Sequence, residues 1–289
     1  DVLGSRGLGD VYKRQIYNAL MASLKADASQ IAKYSPLEGW RHEGEEQCGM
    51  HINCCNANGP RAFAMIPQFA YQVQDDCVRV NFYAPSEAEL VLPGKKPVRL
   101  KQTTDYPRTD QIEIEVDPAK ETAFTIALRI PAWSKIAVVS VNGQPQDGVL
   151  QGAYLPVNRK WKKGDRITVK LDLRARLVER NQAQAIVRGP VVLARDSRFG
   201  DGFVDEASVV VSKDGYVALT PVKAPGFAWL AFTAPMVLGT DLESNRAPKQ
   251  IHFCDFASAG NTWDKTQRYR VWLPKTLNVM HSPYRPYNQ

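Results

Sequence analysis

Hydrophobic residues occupy every second position over several stretches of the chain after residue 77. The alternation is clearest at Ile112–Val116, Phe124–Ile130 and Ile167–Leu173. A period of two turns one face of a strand toward a core and the other face toward solvent. Turn sequences such as Asn142-Gly143 and Lys163-Gly164-Asp165 separate these runs. The pattern therefore predicts an antiparallel β-sandwich.

Short apolar runs continue beyond residue 198 and indicate further strands. They are Val209–Val211, Tyr216–Leu219, Trp229–Phe232, Ile251–Phe253 and Tyr269–Trp272. We expect these strands either to extend the sandwich or to form a second small β-domain.

The residues before 77 have a helical composition instead. Ile16–Lys25 contains no glycine or proline, and apolar residues recur at helical spacing from Phe63 to Val73. Pro60 suits the first turn of a helix, with Asn58 or Gly59 before it as the cap. Pro67 predicts a kink or a break inside this second helix.

Composition and charge narrow the class of protein. A hydrophobic content of 44% with 23% charged residues is ordinary for a soluble globular protein. The net charge of +7 is spread along the chain and forms no concentrated basic face, so we expect no nucleic-acid partner. No apolar run reaches the ~18 residues of a membrane-spanning helix, so we expect no membrane partner either.

Five cysteines are present, and two of them are adjacent, Cys54 and Cys55. An odd count with this spacing does not suggest a disulfide framework. It favours reduced or metal-bound thiols, although a bridge between Cys48 and Cys54 stays possible. Cys77 and Cys254 are predicted to be core residues.

The adjacent pair precedes a predicted helix, where the positive end of the helix dipole stabilises a thiolate. A thiolate is both a nucleophile and a zinc ligand, so the pair is a candidate for catalysis, metal binding or both. The alternative is that both cysteines are small buried hydrophobic residues.

The stretch Cys54-Cys55-Asn56-Ala57-Asn58-Gly59-Pro60-Arg61 resembles the vicinal-cysteine signature of glycoside hydrolase family 127, the bacterial β-L-arabinofuranosidases. Other segments resemble family motifs in the same order along the chain. They are Ile16-Tyr17-Asn18-Ala19-Leu20-Met21-Ala22, Tyr34-Ser35-Pro36-Leu37, Val80-Asn81-Phe82-Tyr83, Leu128-Arg129-Ile130-Pro131-Ala132-Trp133, Val141-Asn142-Gly143, Arg159-Lys160-Trp161 and Arg188-Gly189-Pro190.

The resemblance implies a mixed fold, in which the C-terminal helices of an (α/α)6-barrel catalytic domain precede antiparallel β-sandwich domains. Residues 16–76 are then the remnant of the barrel, residues 77–197 a β-sandwich and residues 198–289 a further β-rich region. Residues 1–15 resemble a translated adapter or assembly scar. The native N-terminus is expected to lie further upstream, so the choice between bacterial cytoplasm and periplasm stays open.

The resemblance also implies the chemistry. Cys54 is the nucleophile of a retaining exo-glycosidase that acts on terminal β-L-arabinofuranosides of plant-derived glycans. Cys54 and Cys55 are zinc ligands, and Tyr34 and His51 lie near the sugar. In the family, the acid/base glutamate and a Glu-x-Cys zinc pair come before a helix with the sequence Leu-Tyr-Asn. Ile16-Tyr17-Asn18 corresponds to that helix in this chain. The zinc site here is therefore expected to be incomplete, and the isolated chain inactive.

Several alternatives stay open on the sequence alone. The enzyme could belong to the same superfamily and take another sugar, or the chain could be a non-catalytic carbohydrate-binding β-sandwich module. A structural zinc protein that uses Cys48, Cys54 and Cys55 is a third alternative. Tyr34 is equally consistent with a packing aromatic residue, and His51 with a hydrogen-bonded structural histidine. The oligomeric state is not predicted.

Overall fold

The computed structural model of the chain describes residues 13–43, 54–239 and 247–276. Contacts between residues divide them into two units. The first unit contains described residues 13–17 and 54–173, and the second contains 18–43, 174–239 and 247–276. Segment 18–43 therefore folds with the C-terminal part of the chain and not with the residues that follow it.

Helices are few and short in the described ranges. A π-helical turn spans Ile16–Leu20, the α-helix α1 spans Cys54–Met65, and 3-10 helices span Ile66–Phe69 and Ser197–Phe199. Within these ranges no helix has the length and apolar composition of a membrane-spanning helix. The described helices do not form an (α/α)6 barrel, so that part of the predicted fold stays a prediction.

Helix α1 differs from the helix predicted over residues 60–73. It begins at Cys54, six residues before Pro60, and Pro60 lies inside it. A proline inside a helix lacks the backbone donor, and its ring crowds the carbonyl four residues earlier, here that of Asn56. The helix nevertheless continues through Pro60 to Met65. The predicted break at Pro67 is confirmed, because the chain tightens into the 3-10 helix there.

Strands make up most of the regular secondary structure in the described part of the chain, as the alternation predicted. The strands before residue 174 are, in chain order, β1 (Glu38–Gly39), β2 (Tyr71–Gln74), β3 (Cys77–Val80), β4 (Ser86–Leu92), β5 (Lys96–Thr104), β6 (Gln111–Pro118), β7 (Thr122–Arg129), β8 (Val138–Val141), β9 (Gln144–Pro145), β10 (Tyr154–Trp161) and β11 (Asp165–Lys170). Strand β1 belongs to the second unit, and strands β2 to β11 build the first.

The first unit contains two sheets among its described residues. One is four-stranded, in the order β10-β7-β3-β2, and the other is six-stranded, in the order β4-β5-β6-β11-β8-β9. The strands pair antiparallel except for β3 and β7, which run parallel. Such a pair needs a crossover, and residues 81–121 supply it by building β4 to β6 of the other sheet.

The alternating residues explain why the two sheets form a sandwich. Ile112, Ile114 and Val116 of β6 are fully buried, as are Ile126 and Leu128 of β7. The alternate positions of the six-stranded sheet carry charges that pair across strands. Arg99 lies between Glu87 and Asp117, at 3.0 Å and 2.7 Å, and Arg166 lies 3.0 Å from Glu113. One face is therefore core and the other is a solvated, charge-paired surface.

The second unit is also built from strands. Besides β1 they are β12 (Ala175–Arg180), β13 (Ala183–Arg188), β14 (Val191–Asp196), β15 (Ser208–Val210), β16 (Ser212–Lys213), β17 (Tyr216–Val217), β18 (Thr220–Pro221), β19 (Ala231–Leu238), β20 (Lys249–Asp255), β21 (Tyr269–Arg270) and β22 (Leu273–Pro274). They form one 12-stranded sheet with the main order β15-β19-β20-β14-β13-β12-β17-β16. Its core includes Ile186, Leu193, Met236, Ile251 and Phe253.

The contacts between residues divide the chain after residue 173, whereas the sequence analysis placed a domain boundary at 197. Strands β12 to β14 lie between these two positions. They pair with β17, β20, β21 and β22, which come from the C-terminal part of the chain. This long-range pairing has no local signature in the sequence, because the partner strands β17, β20, β21 and β22 lie far along the chain from β12 to β14.

Candidate functional site

Cys54 is the first residue of α1, and Cys55 is the second. Cys54 is exposed and Cys55 is half-buried. The side-chain amide of Asn58 donates a hydrogen bond of 3.1 Å to the backbone carbonyl of Cys54, which closes the first turn. The structure therefore places the pair in the first turn of α1, whereas the sequence predicted a position just before a helix.

The electrostatic surroundings of the pair favour negative charge. The first turn of α1 contains no acidic residue. The positive end of the helix dipole lies at this turn and stabilises an anion. An exposed thiol at this position is accessible to an electrophile or to a metal ion.

Zinc usually has four protein ligands in a structural site and three in a catalytic site. Cys54 and Cys55 supply two donors of a suitable type, and both are accessible at the end of the helix. Within the described ranges no cluster of three or more histidine, cysteine, aspartate or glutamate residues is placed to hold a metal ion. The described residues thus fit part of a zinc site, and the rest of the donor set is not among them.

Tyr34 lies in the second unit, in the segment that precedes α1 along the chain. Its side chain is 66% exposed. The backbone beside it is well held, because the amide of Lys33 donates to the carbonyl of Glu43 at 3.0 Å and the hydroxyl of Ser35 donates to the carbonyl of Ala19 at 2.9 Å. The segment thereby closes on itself and presents the tyrosine ring outward.

His51 and Cys48 lie outside the described residues. Their predicted roles, in sugar contact and in a structural zinc site, stay predictions. The other two cysteines are in the β-structure. Cys254 is fully buried, as predicted, and burial raises the pKa of its thiol well above the usual value. Cys77 is half-buried in β3, and burial raises the pKa of its thiol as well.

Arg41 is a residue whose importance the sequence analysis missed. It stands in a stretch of charged residues that resembles a solvated loop, yet the structure buries it completely. Its guanidinium donates to the backbone carbonyls of Ala22 and Ala257, at 2.5 Å and 2.9 Å, and to that of Phe256. The burial depends on backbone acceptors at residues 256 and 257, and nothing in the sequence around Arg41 indicates contact with them.

The described fold is thus mainly β, with a cysteine pair at the head of a short helix that leads into a β-sandwich. Comparison with known proteins assigns the β-sandwich part of this arrangement. Residues 77–173 match the family model described as Beta-L-arabinofuranosidase, GH127 middle domain. The resemblance to glycoside hydrolase family 127 is therefore confirmed over residues 77–173, which match its middle domain. No curated protein matches the chain.

Solved structures support the same assignment of the fold. One is a GH127 β-L-arabinofuranosidase from Geobacillus stearothermophilus T6, with 21% identity and a TM-score of 0.75 over 93% of this chain and 46% of that chain. A second, described as a GH127 β-arabinofuranosidase, has 24% identity and a TM-score of 0.75 over 94% of this chain and 46% of that chain.

A third structure, described as a glycoside hydrolase, has 20% identity and a TM-score of 0.71 over 93% of this chain and 48% of that chain. The chain spans about half the length of these solved structures. At such identities the matches establish the fold.

Proposed function

We propose that this chain is the C-terminal part of a retaining exo-glycosidase that hydrolyses terminal β-L-arabinofuranosides of plant-derived glycans. The observation that carries the proposal is the position of Cys54. It is an exposed thiol at the head of α1, and this helix leads directly into the GH127 middle domain at residues 77–173.

Cys54 is the nucleophile in this proposal. Its thiolate attacks the anomeric carbon, a C–S bond forms, and the bond from that carbon to the leaving oxygen breaks. The leaving oxygen takes a proton from a carboxylic acid. The resulting carboxylate then activates a water, which displaces the thiolate and releases the sugar with retained configuration. The resemblance implies that this carboxylic acid comes before the segment that begins at Ile16-Tyr17-Asn18.

Cys54 and Cys55 would also hold zinc in this proposal. When bound, the ion keeps both thiols deprotonated at neutral pH. The remaining zinc ligands are expected from the Glu-x-Cys pair that the resemblance implies.

The sugar is proposed to contact Tyr34 and His51. The 66% exposure of Tyr34 supports this role, because a ring that packs in the core would not be so accessible. Of residues 16–76, which were predicted to be the end of the (α/α)6 barrel, helix α1 is proposed to belong to it, since none of its residues is buried by the described part of the chain. Segment 18–43 folds instead with the C-terminal unit, and residues 71–74 form β2 of the sandwich.

The test uses the longest natural reading frame that contains this chain, and an aryl β-L-arabinofuranoside as substrate. Cys54→Ala is expected to lower kcat at least about 10³-fold, as loss of a nucleophile does. Cys77→Ala is the matched control, because it removes a thiol from β3 and should leave kcat unchanged. A slow fluorinated substrate should add the mass of one sugar to the peptide that contains Cys54.

Each alternative has its own result in this experiment. Full activity of Cys54→Ala would contradict the proposal. Turnover of other glycosides but not of the arabinofuranoside would instead show another sugar specificity. Sugar binding without turnover, unchanged by Cys54→Ala, would show a carbohydrate-binding module. We expect the 289-residue chain alone to be inactive.

A further inference from the structure

The segment that carries Tyr34 is attached to the C-terminal sheet of the second unit by a set of buried contacts. Tyr34 itself is mostly exposed, so its own side chain does little to hold its position. The position of the ring therefore depends on the backbone on either side. The attachments of that backbone lie at Pro36, Leu37, Glu38 and Arg41.

Arg41 is the most deeply buried of these attachments. Its guanidinium bonds three backbone carbonyls, one at the end of the first helical segment and two in the turn after β20. The guanidinium carbon also lies 4.8 Å from the centroid of the Phe256 ring and 5.0 Å from that of Tyr269. A planar cation with several fixed donors can make all these contacts at once, and a lysine cannot.

Tyr269 makes the second attachment. Its hydroxyl donates a hydrogen bond of 2.5 Å to the carbonyl of Pro36, two residues after Tyr34. The Tyr269 ring is fully buried, and Gly260 allows it to lie there. A Cβ atom on Gly260 would be 2.5 Å from the ring, and the backbone at that glycine is left-handed, with φ of +60°.

Backbone pairing continues the attachment along the segment. The amide of Val271 donates to the carbonyl of Leu37 at 2.8 Å. Glu38 of β1 pairs with Arg270 of β21 in the ladder, and their side chains form an ion pair of 3.0 Å. Strand β21 thus holds residues 36–39 in a fixed register.

The turn that receives Arg41 is itself held by a buried carboxylate. Asp255 accepts hydrogen bonds from the amides of Leu230 and Ser258, at 2.8 Å and 2.9 Å. The hydroxyl of Ser258 in turn accepts from the amide of Trp229 at 2.9 Å. These three hydrogen bonds hold the backbone on both sides of residues 256 and 257, whose carbonyls accept from Arg41.

We propose that Arg41 and Tyr269 are positioning residues, which act through the backbone of residues 34–41 to hold the Tyr34 ring where it contacts a furanoside sugar. The inference rests on the proposed function, since it requires Tyr34 to touch substrate. It assigns the C-terminal sheet a part in substrate binding and not only in the stability of the fold.

The experiment uses the same natural reading frame and compares Tyr269→Phe with Tyr216→Phe. Both changes remove one hydroxyl from a tyrosine of the second unit, but the Tyr216 hydroxyl accepts from Arg174 at an exposed position, far in sequence from residues 34–41. Tyr269→Phe is expected to raise KM roughly three- to tenfold, the factor that the loss of one hydrogen bond produces, with kcat nearly unchanged. Arg41→Lys is expected to raise KM further, whereas Tyr216→Phe leaves it unchanged.

A double variant separates positioning from general stability. In a Tyr34→Ala background, Tyr269→Phe should have no additional effect on KM, because the ring that it positions is gone. Hydrogen exchange should also become faster in a peptide that covers residues 31–43, and not in one that covers β19.

Failure of the inference can be told apart from failure of the proposed function. If Tyr34→Ala raises KM while Tyr269→Phe and Arg41→Lys behave like Tyr216→Phe, the inference is overturned and the glycosidase assignment stands. If Tyr269→Phe raises KM equally with and without Tyr34, positioning through Tyr34 is also overturned. If the wild-type enzyme turns over no arabinofuranoside, the proposed function is wrong. If Tyr34→Ala has no effect on KM, the proposed sugar contact at Tyr34 is wrong. Either result also overturns the inference.

Discussion

At the scale of single residues, Asp165 shows how one side chain connects two turns of the sandwich. It accepts hydrogen bonds from the side-chain amide of Asn142 at 2.8 Å and from the backbone amide of Lys162 at 3.0 Å. The Asn142 carbonyl oxygen accepts in turn from the amide of Arg166 at 2.8 Å. Both turn sequences were visible before the fold was known, but their connection was not.

Asp165→Ala is expected to lower the free energy of unfolding by about 1–3 kcal/mol at pH 7, because it removes the buried carboxylate that accepts hydrogen bonds from Asn142 and Lys162. Burial tends to raise the pKa of Asp165, but the bonds from Lys162 and Asn142 outweigh it and hold the pKa below its usual value. A lowered pKa stabilises the fold above the unfolded value of about 4 and loses this effect as the pH falls through the folded value.

The difference between wild type and Asp165→Ala should therefore be complete at pH 7 and shrink below about pH 4. Urea unfolding at several pH values measures it. Asp147→Ala, which changes an exposed loop residue, is the control and should have no effect at any pH. A difference that stays constant down to pH 2 would show that the carboxylate charge is irrelevant.

At the scale of elements, one tryptophan adds a side-chain contact to the backbone pairing of β7 with β10. Trp161 is fully buried at the end of β10, and its indole N–H donates to the carbonyl of Phe124 in β7 at 3.0 Å. Its ring lies 5.9 Å from the ring of Phe124. The side chain thus contributes both a hydrogen bond and core volume at one place.

We expect Trp161→Phe to destabilise the chain by about 1–3 kcal/mol, since a buried carbonyl loses its donor. Trp161→Ala adds a cavity and should cost about 3–5 kcal/mol. Urea unfolding followed by circular dichroism measures both. Trp40→Phe, at a half-exposed position of the second unit, is the control. Equal midpoints for Trp161→Phe and Trp40→Phe would contradict this account of the core.

Strands were also the elements that the sequence predicted best. The runs at Ile112–Val116, Phe124–Ile130 and Ile167–Leu173 all lie in or directly beside strands β6, β7 and β11. The predicted limits of the second helix were wrong. The sequence predicted a start at Pro60, whereas α1 begins at Cys54. Propensity alone does not show that a proline will be tolerated inside a helix, which depends on the local backbone.

At the scale of the whole molecule, the two units differ in how their strands are distributed along the chain. Residues 71–173 contain every described strand of both sheets in the first unit. The second unit also needs residues 18–43. The side-chain amide of Asn18 donates to the carbonyl of Pro190 at 2.9 Å, and its oxygen accepts from the amide of Val192 at 2.8 Å.

Residues 71–173 alone are therefore expected to fold, with well-dispersed amide signals in NMR spectra. Residues 174–276 alone should melt at a lower temperature than in the full chain, because carbonyls that Arg41 and Asn18 satisfy would lose their donors. A synthetic peptide of residues 16–43 should raise that melting temperature. No change on adding the peptide would show that segment 18–43 is dispensable for this unit.

The sequence by itself determined the local features of this protein. Alternating residues predicted the strands because one face of each strand is buried, and collinear motifs identified a family whose middle domain is confirmed at residues 77–173. Tertiary structure alone decided what joins distant segments: the burial of Arg41, the bond from Tyr269 to Pro36 and the return of residues 18–43 to the C-terminal sheet. Local periodicity indicates that one face of an element is buried, but it does not indicate which segment covers that face. For Arg41 and for Tyr269 the contacting segment lies more than 200 residues away along the chain.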